Sequence, residues 1–313
     1  MRKLIAGIIL GTALLCGTKA HAQYNREYFF WVGRSCMMNN DYQEAIRTLN
    51  TLLRFDEDAF EGYFLRGIAK YNLDDLLGAE ADFSTAIRLN PVYTQAYTYR
   101  AITRSRLGNY DDALQDFREA IDLRPDLPGP YYSRGVTRLL NQQFKEAIDD
   151  FDKFIRQENK VADAFICRGL SYLHLKDTTR AYENFNTAIR TNRENPNGYN
   201  RRGGLHLQQE QYKEAEADFN KAIECDSAYL LSYFNRALVY NATNRPMQAL
   251  ADFDKVIQLD STNSLTYFNR AMLRTQIGDY NRALEDYDKV ALYSPNNVLV
   301  YYNRAGVYAQ LGE

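Results

Sequence analysis

The chain has 313 residues, of which 45% are hydrophobic, a composition typical of a folded globular protein rather than a disordered scaffold. Its formal net charge is −2, and without the three basic residues of positions 1–22, where there is no acid, 35 basic and 40 acidic residues give −5. This balance excludes the basic surface of a nucleic-acid-binding protein.

The first 22 residues have the three parts of a secretory signal peptide. Two basic residues precede a largely apolar run at residues 4–15, and a small-residue site, Ala-His-Ala, follows at residues 20–22. The run is shorter than the roughly 20 apolar residues that span a bilayer. We therefore predict export to the periplasm or cell surface of a Gram-negative bacterium, with the protein peripheral to the membrane at most.

A lipoprotein is the alternative for this leader. Cys16 would then be the acylated residue. Leu15 before it is bulky, whereas lipoprotein signals have a small residue there, so this alternative is less favoured.

A unit of 34 residues runs through nearly the whole chain without insertion or deletion, and its clearest copy is residues 264–297. Eight full copies cover residues 26–297, and a partial ninth covers residues 298–313. An unbroken period of this length predicts a solenoid, in which each unit buries its apolar face against its neighbours. We expect one elongated domain over residues 23–313. Places within a copy are numbered from its first residue, so that residue 26 is place one.

Each copy contains two runs of about 14 residues in which apolar residues recur at helical spacing. Breaks at Gly108 and Gly278 lie between such runs, and Pro91, Pro125 and Pro295 lie near the ends of copies. The pattern predicts a helix-turn-helix unit in every copy. The first helices should begin near residues 26, 60, 94, 128, 162, 196, 230, 264 and 298.

Small residues recur at places eight and twenty, where two helices can approach closely. Large aromatic residues recur at places four and 24. The pattern resembles the tetratricopeptide repeat over residues 26–313, and this resemblance implies an all-α, right-handed superhelical solenoid whose first helices line a concave channel. The aromatic residues at place 24 are Phe83, Phe117, Phe151, Phe185, Phe219, Phe253 and Tyr287.

Place seven is arginine in every copy after the first, and place 23 is aspartate or asparagine. Copy one has Val32 and Thr48 at these places, so it lacks both charges together. We expect bidentate Arg–Asp pairs that hold the two helices of each copy together, partly shielded from water. The competing interpretation is that an anion of a partner binds these arginines.

Enzyme signatures are absent from the sequence. It contains no P-loop, dinucleotide-binding glycine motif, nucleophile elbow or zinc-protease helix motif. His174 and His206 occupy different places in successive copies, so we predict no metal site. We accordingly expect a non-catalytic protein without a cofactor.

The face of each first helix opposite the seam carries places two, five, six, nine, twelve and thirteen, which follow one another at spacings of three and four. It is richer in apolar and aromatic residues than a solvated face requires. We predict that it binds a peptide or protein partner, although place five could instead pack against a neighbouring helix. The candidate residues on this stripe are Phe30, Phe64, Tyr132, Phe234, Phe268 and Tyr302.

Asparagine occupies place six in the last three copies, as Asn235, Asn269 and Asn303. A row of carboxamides can hydrogen-bond the main chain of an extended peptide. The row resembles the asparagine ladder of O-linked N-acetylglucosamine transferase, although recent duplication of this segment would produce the same row without a function. Chaperone-docking repeats clamp a terminal carboxylate with lysine at place five and asparagine at place nine, which this chain lacks.

These observations predict a scaffold that holds a protein partner in the cell envelope. Two alternatives stay open. The last copy lacks a second helix, so that solenoids could associate end to end as a homo-oligomer through it, or the chain could be the targeting part of a longer enzyme that continues beyond Glu313.

Overall fold

The computed structural model describes residues 26–312. The predicted signal peptide, including Cys16, lies outside these residues. Within them there are seventeen α-helices and no strand, and none of the helices is long and apolar enough to cross a membrane.

The helices begin where the repeat predicts them, since the first helices from copy two onward start at the expected residues. The first described helix, α1, occupies residues 26–38. The others are α2 Tyr42–Phe55, α3 Phe60–Asn72, α4 Leu76–Leu89, α5 Thr94–Arg106, α6 Tyr110–Leu123, α7 Pro128–Leu140, α8 Phe144–Gln157, α9 Ala162–His174, α10 Thr178–Thr191, α11 Pro196–Gln208, α12 Tyr212–Cys225, α13 Leu230–Ala242, α14 Pro246–Leu259, α15 Ser264–Gln276, α16 Tyr280–Tyr293 and α17 Val298–Leu311.

The turn within each copy depends on a residue in the left-handed backbone conformation at place fifteen. Gly108 and Gly278 adopt it with φ of 82° and 80°. Six non-glycine residues adopt it at the same place with φ between 57° and 65°, although a side chain makes this conformation less favourable. The next residue often caps the second helix, as where Asp75 accepts a hydrogen bond from the Gly78 amide at 3.0 Å. The six residues are Asn40, Asp74, Gln142, Lys176, Glu210 and Asn244.

The helices form two compact units, which divide after Gln157. The described part of the first unit, residues 26–157, contains α1–α8, and that of the second, residues 158–312, contains α9–α17. Within each unit, the two helices of a copy pack together, and the second helix packs on the first helix of the next copy. The predicted all-α array of helix-turn-helix repeats is confirmed, while the extent of a single domain over residues 23–313 stays a prediction.

The aromatic rings at place 24 form the centre of the repeat in copies two to eight. All seven, from Phe83 to Tyr287, are at most 1% exposed. Glycine at place eight allows the first helix to approach them closely: a Cβ added at Gly67 would lie 2.6 Å from the ring of Phe83, and one at Gly169 the same distance from Phe185. These contacts explain why places eight and 24 vary so little between copies.

The predicted Arg–Asp pairs are confirmed. In six copies the arginine Nε donates to Asp Oδ2 at 2.8–2.9 Å, and Nη2 donates to Oδ1 at 2.5–2.7 Å. The aspartates are at most 6% exposed. In copy five, Arg168 donates to Asn184 Oδ1 at 2.8 Å. The pairs are Arg66–Asp82, Arg100–Asp116, Arg134–Asp150, Arg202–Asp218, Arg236–Asp252 and Arg270–Asp286.

Many of these arginines also reach the preceding copy, which the sequence analysis did not foresee. Arg236 Nη1 donates to Asn220 Oδ1 at 2.6 Å, and Arg66 Nη1 donates to Asn50 Oδ1 at the same distance. The acceptor always stands at place 25 of the preceding copy, so one guanidinium joins three helices. The other acceptors are Ser84, Asn186, Asp254 and, in an ion pair with Arg304, Asp288.

A second cation often shares the buried aspartate. At place eleven, Lys70 Nζ lies 2.8 Å from Asp82 Oδ2, and Arg138 Nη1 lies 2.6 Å from Asp150 Oδ2. Where place eleven is Tyr240, the guanidinium of Arg236 lies over the ring at 5.6 Å. The hydrogen bonds that Arg236 donates to Asp252 raise the pKa of Arg236 above its usual value, so this arginine stays charged at any ordinary pH.

Removing one buried aspartate should destabilise the protein strongly. In Asp252→Ala, Arg236 loses both acceptors of its bidentate pair while its guanidinium remains half-buried, which should cost on the order of 3 kcal/mol. Urea unfolding followed by circular dichroism measures this change. Asp58→Ala, at an exposed residue outside these pairs, should change the unfolding midpoint little, and equal effects of the two substitutions would contradict the structural role of the pair.

Removing the acceptor at place 25 should have a smaller effect of the same sign. Asn220→Ala leaves the Arg236–Asp252 pair intact and removes one hydrogen bond between copies, so we expect a loss of about 1 kcal/mol. The matched control is Asn281→Ala, at an exposed asparagine of α16. The same unfolding measurement applies, and a midpoint equal to that of the control would show that the third bond contributes nothing.

Candidate partner-binding surface

The predicted binding residues lie in both units and must be considered separately in each. Phe30, Phe64 and Tyr132 belong to the first unit. Phe234, Asn235, Phe268, Asn269, Tyr302 and Asn303 belong to the second. In the second unit α11 contacts both α9 and α13, and α15 contacts α17, so these pairs of first helices lie side by side.

The aromatic residues at place five pack largely against the repeat core. Phe234 lies against Phe253 with ring centroids 5.8 Å apart, and Phe268 lies 6.1 Å from Tyr287. Tyr132 lies 5.0 Å from the ring of Phe154 and 6.1 Å from that of Phe151, both on α8. Much of the surface of these rings therefore packs against a neighbouring helix, as the alternative interpretation of place five expects. Replacing them by alanine would weaken the core as well as any binding surface.

Phe64 is the most deeply buried of the predicted binding residues, whereas Phe30 in copy one and Tyr302 in copy nine are more exposed. Phe64 is 8% exposed, among the rings of Phe83, Tyr93 and Tyr99. Phe30 is half-buried, with two guanidinium groups 5.9 Å from its ring centroid. Tyr302 is 76% exposed. The place-five stripe therefore presents a full ring to solvent only at Tyr302 among these candidates.

The asparagines at place six are half-buried at the surface of the first helices. Asn269 Nδ2 donates to the Leu265 carbonyl at 2.8 Å, and Asn303 Nδ2 donates to the Leu299 carbonyl at 2.8 Å, each one turn earlier in the same helix. Asn235 Nδ2 donates instead to Asn200 Oδ1 at 3.1 Å. Each carboxamide thus already uses one donor inside the protein. Within residues 26–312 the three Oδ1 atoms accept no hydrogen bond, and they are the groups of this row that can take a donor from a partner.

A row of leucines accompanies the asparagines and was missed by the sequence analysis. Leu231, Leu265 and Leu299 stand at place two, one helical turn before each asparagine, and are 44%, 59% and 60% exposed. The signal was the recurrence of leucine at one place in the last three copies. An exposed aliphatic side chain beside each carboxamide gives this face both apolar contacts and hydrogen-bond acceptors.

The two histidines of the described residues, His174 and His206, have different surroundings. His206 belongs to the seam, where its Nδ1 lies 2.5 Å from Gln211 Oε1 and its Nε2 lies 3.8 Å from Asp218 Oδ2. His174 is exposed at the end of α9. Among residues 26–312, no group of three or more His, Cys, Asp or Glu side chains could hold a metal ion.

Comparisons with known proteins agree with this architecture. One family model, described as TPR repeat, matches residues 104–142 and 272–312, and a second, described as tetratricopeptide repeat, matches residues 168–229 and 201–264. Together the matched stretches cover more than half of the chain. The comparison with curated proteins finds no match.

Solved structures of repeat proteins share the fold. A tetratricopeptide repeat protein from Parabacteroides merdae is 20% identical over 80% of this chain and 98% of its own, with a TM-score of 0.62. Yeast Tom70 is 18% identical over 86% of this chain and 59% of its own, with a TM-score of 0.67. The C-terminal part of a TPR protein from Cytophaga hutchinsonii is 22% identical over 76% and 97%, with a TM-score of 0.56.

The matches and the geometry identify the same unit. A 34-residue period, helix pairs that start at the predicted residues, a small residue against a buried ring in copies two to eight and the family models all describe one repeat. Repeats of this family provide scaffolds for protein interactions. The chain belongs to the tetratricopeptide repeat family.

Proposed function

We propose that this protein binds an extended segment of a protein partner along the first-helix face of copies seven to nine and acts there as a non-catalytic scaffold. The observation that carries the proposal is the row of Asn235, Asn269 and Asn303 with open Oδ1 acceptors. Each acceptor has an exposed leucine beside it.

The chemistry of the row suits a peptide main chain. Main-chain N–H groups are donors that every residue except proline carries, so carbonyl acceptors at regular intervals bind an extended segment without selecting its side chains. The leucines add apolar contacts for side chains of the segment. The charged residues that are buried within residues 26–312 belong to the Arg–Asp pairs, which supports a scaffold rather than a catalytic role.

The place of action that we propose is the bacterial cell envelope. This part of the proposal rests on the leader pattern of residues 1–22. Export of a fusion to a reporter that is active only after export, compared with the same fusion lacking these residues, tests it directly.

Self-association through α17 is a second candidate, favoured by one observation. Val298 and Tyr302 on this helix are 77% and 76% exposed, and Leu299 is 60% exposed. Large apolar side chains exposed together on one short helix are typical of an interface.

Removing two carboxamides should weaken binding without unfolding the protein. Asn269→Ala with Asn303→Ala deletes two Oδ1 acceptors at surface positions, and at about 1 kcal/mol each the affinity should fall about thirtyfold. The measurement is fluorescence polarisation of peptides selected by the purified protein from a displayed random library. Asn281→Ala serves as the control, and unchanged affinity in the double variant, with the control also unchanged, would contradict the proposed role of the row.

Charging α17 should abolish any self-association. Val298→Lys with Tyr302→Lys places two like charges on the exposed face, so an oligomer built through this helix should become monomeric in light scattering over a range of concentrations. Met247→Lys, at a residue 73% exposed on α14, is the matched control. A mass that stays monomeric at all concentrations before substitution would exclude this second candidate.

A further inference from the structure

Copy six interrupts the apolar stripe of the first helices. At place five it has Asn200, where the copies on either side have Ile166 and Phe234. At place nine it has Gly204 between Leu170 and Leu238. At place six it has Arg201. We call Asn200, Arg201 and Gly204 the polar notch.

The polar notch has open space beside Gly204 and a buried, hydrogen-bonded side chain at Asn200. A Cβ added at Gly204 would meet no atom within 4 Å, so the space that leucine fills in the neighbouring copies is empty here. Asn200 forms the buried side, with 4% exposure. Its Oδ1 accepts hydrogen bonds from Ser232 Oγ at 3.2 Å and from Asn235 Nδ2 at 3.1 Å. The notch is therefore joined directly to the first asparagine of the row.

Arg201 carries a charge that the protein does not neutralise. Its Nε is buried without a hydrogen-bond partner, and the described residues place no carboxylate within ion-pair distance of it. Two other arginines of the second unit are different: Arg202 pairs with Asp218 at 2.5 Å, and Arg245 pairs with Glu216 at 2.6 Å. The Nη groups of Arg201 are neither buried nor hydrogen-bonded within the described residues, so they are the donors that an anion can reach. A half-buried guanidinium without a carboxylate beside it becomes more favourable when an anion binds these donors.

We propose that the polar notch binds the carboxylate of an aspartate or glutamate side chain in the segment that lies along the asparagine row. This inference rests on the proposed function and adds a position-specific requirement to it. The planar guanidinium matches a carboxylate, and the gap at Gly204 gives room for the side chain that carries it. Because α11 contacts both α9 and α13, the face continues on both sides of the notch. The segment can therefore pass through, so the carboxylate belongs to a side chain.

The notch occupant is tested with peptides selected by the purified protein from a random library and resynthesised with amidated C-termini. We expect the selected peptides to share an acidic residue at one position. Changing it to asparagine or glutamine should lower the affinity at least tenfold, as measured by fluorescence polarisation. Arg201→Glu should lower the affinity for the acidic peptide at least tenfold and raise it for the peptide with lysine at that position.

Two further variants keep the test independent of folding. Gly204→Leu introduces the residue that stands at place nine in copies five and seven, into open space, and should block the acidic peptide without loss of helicity. Arg190→Glu makes the same charge change at an exposed arginine of α10 and should leave binding unchanged. An equal effect of Arg190→Glu and Arg201→Glu would show a general electrostatic effect and overturn the proposal.

The other outcomes separate this inference from the proposed function. If acidic and amide peptides bind equally, yet Asn269→Ala with Asn303→Ala weakens both, the notch proposal is wrong and the proposed function stands. If a phosphoserine peptide binds more tightly than the acidic peptide, and Arg201→Glu removes this preference, the notch binds a phosphate rather than a carboxylate. This result would also overturn the proposal. A protein that selects no peptide contradicts both.

Discussion

The guanidinium at place seven is the group on which the assembly of each unit depends. Its two N–H groups on one side bind the buried aspartate of the same copy, and in most copies a third binds place 25 of the copy before. A flat, always charged group with five donors in fixed directions can serve three helices at once, which a lysine cannot do. The hydrophobic rings supply most of the driving force for packing, while the arginine specifies the relative position of the helices.

Most of the fold could be predicted because its signals repeat. The helix starts, the buried rings at place 24 and the Arg–Asp pairs each recur in many copies, so that chance matches at a single place do not mislead. The turns were harder to predict. Gln142 and Lys176 adopt the same left-handed conformation as Gly108, although their residue types do not indicate that conformation in a sequence as glycine does.

The candidate site could be predicted less completely, for reasons of geometry. Place five faces partly inward, and the burial of Phe64 depends on how Tyr93 and Tyr99 fold over it, which a helical wheel does not show. The asparagine row was visible as a pattern. The hydrogen bonds of the row could not be predicted. Asn269 donates to the Leu265 carbonyl while Asn235 donates to Asn200, because the local contacts differ between copies.

The junction between copies three and four differs from the others of the first unit in one respect. Place 25 of copy three is Arg118, a cation, where Asn50 and Ser84 stand as acceptors in the copies before it. Arg134 accordingly binds Asp150 of its own copy but has no acceptor at that place. In a linear array, neighbouring repeats unfold together only as far as their interfaces couple them. Amide hydrogen exchange should therefore show a boundary between two cooperative blocks at this junction, with the helices on its two sides opening at different free energies.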